Sequence, residues 1–170
     1  MNSLRFKLAV LLLAIPVVAQ PAAMSNYLRN KIVDAVFRGQ SFTSPTTLCV
    51  ALTTTIPTAT STGATLTEAT YSGYARGQLN PSLSNWMGTG NETATVSAGY
   101  TGMTKNHAAI IVGSTATTGP TVVAAFVILD SCTIGSGNVL FFSPLLYPKT
   151  IQAGDPAPTF NISTLTVQVN

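Results

Sequence analysis

Thr121-Val122-Val123-Ala124-Ala125-Phe126-Val127-Ile128-Leu129 is the stretch on which the fold turns. It is almost wholly apolar and rich in β-branched residues, and it does not alternate. That is the pattern of a strand buried on both faces. Asp130 follows it as a turn former. Gly135-Ser136-Gly137-Asn138 then turns the chain into Val139 to Phe142, a partner strand. Outward from this pair, more strands are expected. Thr47-Leu48-Cys49-Val50-Ala51-Leu52-Thr53 reads as a strand closed by Pro57, and residues 58–67 as a Thr, Ser, Ala and Gly surface loop. Tyr71 to Leu79 starts another strand, and residues 80–90, with Trp86, are irregular. Thr93 to Val96, Ala108 to Val112 and Lys149 to Ile151 are short strands. Leu165, Val167 and Val169 alternate with Thr166 and Gln168, the mark of a half-exposed strand.

One helix precedes this β region. Ser25 is a suitable N-cap, and Leu28, Ile32, Val36 with Val33 and Phe37 form an apolar stripe at helical spacing. Arg29, Lys31, Asp34 and Arg38 take the other face, and Gly39 suits the C′ position. The expected fold is mainly β: an antiparallel β-sandwich or jelly-roll-like domain behind one N-terminal amphipathic helix. No βαβ rhythm is present. The domains are an apolar leader or arm at 1–23, the helix and lead-in at 24–45, and the β domain at 46–170.

The leader reads three ways. Arg5 and Lys7 followed by the apolar run Leu8 to Ala19 have the grammar of a secretory signal, and the run is shorter than the roughly 20 residues a membrane span needs. Met24-Ser25-Asn26 reads equally as a natural start. The third reading is an arm that stays on and packs against partners.

Composition narrows the function. Charged residues make up 8% of the chain and hydrophobic ones 46%, against about 25% charged in ordinary domains. A free surface with so few charges is poorly protected against association, so much of it is expected to be covered by copies of itself or by partners. The net charge is +3, of which Arg5 and Lys7 supply two. No basic patch remains, so nucleic acid is not expected as a ligand. Cys49 and Cys132 read first as two small buried hydrophobes. The alternative is a disulfide between two sheets in an oxidising compartment.

Catalytic chemistry finds little support. His107 is the only histidine. It lies next to Asn106 and the apolar Ala108 to Ile111, without a nucleophile elbow. Asp34, Glu68, Glu92, Asp130 and Asp155 sit in no pairing motif. Neither a His/Cys metal cluster, a Ca²⁺ loop nor a phosphate-binding glycine motif appears. No catalytic residue, metal ligand or cofactor is expected. Tyr71, Tyr74, Trp86 and Tyr100 fall in the middle third. Tyr74 and Trp86 are expected in the core, whereas Tyr71 and Tyr100 are open between core and interface.

An ordered series of segments resembles a family of small bacteriophage virion proteins of the tail-fibre or decoration type. It begins with Asn30-Lys31-Ile32-Val33-Asp34-Ala35-Val36-Phe37-Arg38-Gly39 and the strand Pro45 to Pro57. It continues through Glu68 with Gly73-Tyr74-Ala75-Arg76, then Asn85-Trp86. Ala125 to Asp130 with Gly137 to Phe142, Lys149 to Asp155 and Leu165-Thr166-Val167 complete it. The likeness spans most of residues 24–169; the leader and both cysteines stand outside it. It implies a β-sandwich that assembles on a virion and supplies no catalytic residues.

The leading expectation is therefore a non-enzymatic phage structural protein that decorates or cements a capsid. A tail or fibre component is the alternative, and an exported carbohydrate-binding or adhesive module, hence secreted, is the alternative from another class. The expected partners are copies of itself and the major capsid protein or tail proteins, with no nucleic acid and no membrane span. Candidate interface residues are Leu28, Ile32, Val36, Tyr71 and Tyr100.

Overall fold

The computed structural model describes residues 22–88 and 102–169. In chain order these form β1 (Ala23–Met24), α1 (Asn26–Arg38), β2 (Cys49–Thr53), β3 (Gly77–Gln78), β4 (Met103–Lys105), β5 (Ile110–Ile111), β6 (Thr121–Leu129), β7 (Val139–Ile151), β8 (Thr159–Phe160) and β9 (Thr166–Gln168). The fold is mainly β and antiparallel, with one helix among the described residues. The strand expected at Thr93 to Val96 lies outside them.

A five-stranded sheet runs in the order β1-β7-β6-β2-β3. β6 sits at its centre, paired on one side with β2 from Thr53↔Ala125 to Cys49↔Leu129 and on the other with β7. This explains the unbroken apolar run. Phe126 and Ile128, with Val50 and Leu52 of β2, enter the main core. Val127 and Leu129, with Ala51, point to the opposite face and pack on Val139 and Phe142. Two separate ribbons, β4-β9 and β5-β8, replace a continuous second sheet. They bring Ile110, Phe160, Leu165 and Val167 onto the main core, which makes the packing sandwich-like. Ala59 and Leu66, from the loop after β2, pack against the smaller core on the other face.

The segments expected as Val139 to Phe142 and Lys149 to Ile151 are one strand, β7. Its register jumps from Ala125↔Pro144 to Val123↔Lys149, so Leu145 to Pro148 form a bulge in which Leu145 packs on the main core and Tyr147 is exposed. Pro148 is tolerated because it lies in this bulge, where the backbone leaves the ladder.

Glu68 and Arg76 form a buried ion pair that holds three segments together. Arg76 Nη2 lies 2.6 Å from Glu68 Oε1 and Nε donates to Oε2 at 3.1 Å. The Tyr74 hydroxyl donates to the same Oε2 at 2.6 Å. Arg76 Nη1 donates to the carbonyls of Ser131 and Ser136 at 2.7 and 2.9 Å, fastening the β6–β7 turn. Gly73 completes the motif with φ at 101° and takes the Ser114 N–H on its carbonyl at 2.8 Å. A side chain at Gly73 would strike the Thr115 carbonyl at 2.7 Å. The Gly-Tyr-Ala-Arg stretch is thus a structural knot.

Cys49 and Cys132 are joined as a disulfide, with Cα atoms 5.2 Å apart across 83 positions. The bond ties β2 to the turn after β6, within one sheet's connections rather than between two sheets. Cys49 is wholly buried, but Cys132 is only half-buried, because it rides on a surface turn.

Burial raises the Tyr71 hydroxyl above its ordinary value. Burial and the hydrogen bond to Glu68 raise Tyr74 still further. Below about pH 10, the ordinary tyrosine value, both states hold these protons and the stabilisation is intact. Above it the unfolded chain ionises first, so stability should fall as pH climbs. In a 295 nm titration, Tyr71 and Tyr74 should stay silent beyond pH 10 and ionise only with unfolding. Reversible ionisation of both at the ordinary value in folded protein would contradict this.

Candidate interaction surface

The N-terminal helix is well built but poorly covered. Ser25 accepts the Leu28 N–H at 3.2 Å, and its own hydroxyl donates to the Val139 carbonyl. Its backbone N–H reaches the Leu140 carbonyl at 3.0 Å, while the Asn26 N–H reaches Ala59 at 2.8 Å. These bonds pin the start of α1 to β7 and to the loop after β2. Gly39 ends it in the left-handed conformation, with φ at 63°, where glycine has no steric penalty. Asp34 and Arg38 pair at 3.2 Å on the exposed face, a contact worth only a few tenths of a kcal/mol.

Of the 13 residues of α1, Leu28 alone is buried. Ile32 is 39% exposed, Val36 67% and Phe37 82%. Isolated helices shorter than about 12–15 residues are marginal in water and draw their stability from packing an apolar face. α1 is anchored at one end and presents most of that face to solvent.

Between α1 and the five-stranded sheet lies an apolar cavity of about 400 Å³. Leu28 and Ile32 form the helix wall, Ile128, Leu140 and Phe141 belong to the sheet, and Trp86 and Phe42 close the sides. The Trp86 ring nitrogen donates to the Leu79 carbonyl at 3.2 Å, which fixes the indole at the rim.

Leu28, Ile32 and Val36 therefore share one surface: Leu28 as its floor, Val36 as its projecting edge. Tyr71 does not join them. It is 2% exposed, its hydroxyl donates to the Val112 carbonyl at 3.1 Å, and its ring stands edge-on to Tyr74 at 5.6 Å. Tyr71 is a core residue, because its hydroxyl finds a backbone acceptor inside the fold. Tyr100 lies outside the described residues. Tyr74 and Trp86 both pack against the main core; Trp86 also faces the cavity. Phe42 and Leu48 complete the surface, although neither lies on the helical stripe that marks the rest.

The acids are occupied elsewhere. Asp130 accepts the Asn138 backbone N–H at 2.6 Å and its side-chain amide at 2.7 Å. Asp155 accepts the Gln152 N–H at 2.9 Å. With Asp34 on Arg38 and Glu68 on Arg76, each described acid has a structural partner. Glu92 lies outside the described residues. The His107 backbone N–H donates to the Asn85 carbonyl at 2.6 Å, and its buried ring Nδ1 has no hydrogen-bond partner among the described residues. Among those residues no group of three or more His, Cys, Asp or Glu could hold a metal, and no helix is long and apolar enough to cross a membrane.

What this architecture offers is contact area: a β body, acids committed to partners within the chain, and an amphipathic helix with exposed apolar side chains beside an apolar hollow. Comparison with known families makes the class definite, a structural protein of the bacteriophage virion. The chain belongs to the family described as podophage GP4 fiber I protein gp80, which matches residues 23–168. The match begins at Ala23, the first residue of β1. No curated protein matches the chain.

Proposed function

We propose that this protein is a non-enzymatic component of a phage tail fibre, held in the particle through the α1 surface. The observation that carries the reading is the fibre family's match across residues 23–168. It favours the tail over capsid decoration, the leading expectation from sequence. The exposed Val36 and Phe37 supply the physical complement. A fibre subunit must bury apolar area against a neighbour, and a stable contact needs about 1,200 Å² or more in total.

The test is copy number in purified particles, by quantitative mass spectrometry with cryo-electron microscopy. A few to a few tens of copies at the tail are expected. Hundreds of copies on the shell would make it a capsid decoration protein. Absence from particles would end the virion assignment.

A further inference from the structure

We infer that Cys132 is a modification site for small-molecule disulfides, and that its bond to Cys49 is a lock closed through that site once the rest of the fold stands. Cys132 takes up the small thiol first, and Cys49 then displaces it from beneath. The timing of the lock rests on the virion reading; the roles of the two thiols rest on geometry alone.

The turn that carries Cys132 is held in place without the bond. Asp130 accepts the backbone N–H and the side-chain amide of Asn138. Arg76 takes the carbonyls of Ser131 and Ser136, on either side of the cysteine. The Ser136 N–H donates to the Thr133 carbonyl at 3.1 Å, and the Gly63 N–H reaches the Gly137 carbonyl at 2.9 Å. Cys49 is fixed independently in the ladder of β2, opposite Leu129 of β6 and Gln78 of β3. The two Cα atoms stand 5.2 Å apart, inside the range of about 4.4–6.8 Å that a disulfide spans. The thiols of the reduced chain therefore meet as neighbours, and closing the bond asks for no movement of the backbone.

The two sulfurs differ in access. Cys49 is 0% exposed. Cys132 is half-buried, and Thr133 to Ser136 after it are exposed. Thiol–disulfide exchange needs a thiolate that an incoming disulfide can reach, and only Cys132 meets that need. Its thiolate attacks one sulfur of a glutathione-type disulfide. A bond forms between Cys132 and one glutathione, the reagent's own S–S bond breaks, and the other glutathione leaves as a thiolate. The Cys49 thiolate then attacks the Cys132 sulfur, forms the protein disulfide and expels the second glutathione. The protons lost by the two cysteines end on the two glutathiones. Two protein thiols are oxidised and one small disulfide is reduced.

A virion protein gains from such a lock. It is made and assembled inside the bacterial cell, where thiols are kept reduced, and it works outside. The bond closes a loop of 83 positions that holds β2 to β6, with the Glu68–Arg76 pair inside it. A disulfide over a longer loop removes more freedom from the unfolded chain. The reduced chain thus keeps its contacts at lower stability, and oxidation hardens it after release.

The experiment uses the full chain, oxidised glutathione and intact-mass measurement. Folded Cys49→Ala should gain one glutathione at Cys132. Folded Cys132→Ala should react about 100-fold more slowly or less, because a buried thiol reacts only through rare opening, and it should react fully in urea. Reduced wild-type protein should keep its far-ultraviolet spectrum while its thermal midpoint falls by roughly 10 °C or more. Equal reactivity of the two folded variants overturns the assigned roles. Loss of the β spectrum on reduction overturns the lock, since the bond would then build the fold rather than secure it. For timing, infected cells quenched in acid and blocked with maleimide before lysis are compared with released particles. Two free thiols are expected inside the cell and none in the particle. A bond already closed inside the cell overturns the timing. A chain absent from particles would sink the fibre reading and leave the thiol roles to the mass measurement.

Discussion

Arg76→Ala should destabilise the fold by about 3–5 kcal/mol, the cost of stripping one partner from a buried ion pair. The guanidinium side chain is wholly buried and answers Glu68 with two hydrogen bonds. Its loss leaves a carboxylate held by the Tyr74 hydroxyl alone, and it frees the carbonyls of Ser131 and Ser136. Urea unfolding followed by circular dichroism measures the change. The double variant Glu68→Leu/Arg76→Met should lose less than the two single losses combined, because it removes the charge along with its partner. A single-variant loss below about 1 kcal/mol would show that the pair is solvated.

Asn106→Leu should cost about 4 kcal/mol although it keeps the branching of the side chain. Asn106 is fully buried. Its side-chain nitrogen donates to the carbonyls of Ala108 and Asn161, both at 2.8 Å, and its oxygen accepts the Leu165 N–H at 2.9 Å. Its backbone accepts the Ser163 N–H at 2.8 Å. The side chain stitches the connection after β4 to the segment between β8 and β9. Leucine removes the amide's bonds to the Ala108 carbonyl and the Leu165 N–H, each worth about 1–3 kcal/mol when buried, while the Asn161 carbonyl keeps the Thr164 N–H and hydroxyl. The ribbons should loosen first, so amide exchange should rise in Leu165 and Val167 before it rises in β6. A loss below about 1 kcal/mol, or exchange rising uniformly, would show that water replaces the amide.

These two positions show where the sequence is hard to read. Asn106 and Glu68 carry no local signal: an asparagine before a histidine and a glutamate in a Thr-rich loop look like ordinary surface residues. Their partners lie 55 and 8 positions away, at Asn161 and Arg76, and only the folded chain brings them together. Tyr71 is similar. An aromatic beside a glycine-rich turn suits a core or an interface equally, until a carbonyl from β5's neighbour Val112 accepts its hydroxyl. β1, β4 and β8 escape reading because each is two or three residues long, too short to show a period.

Periodicity and caps were enough for the central strand and the helix. β6 spans the apolar run from Thr121 to Leu129, and α1 lies between Ser25 and Gly39, since stripe and cap are local properties. The candidate surface was half legible for the same reason. Leu28, Ile32 and Val36 share a helical stripe, whereas Phe42, Leu48 and Trp86 reach the cavity only by tertiary packing.

Local chemistry in the chain thus determined a β body behind one capped amphipathic helix, because periodicity, turn residues and caps act over a few neighbours. Tertiary structure decided which polar groups are buried, which cysteines meet, and that the helix stripe stays open above a hollow. Those outcomes depend on segments far apart in sequence closing on one another.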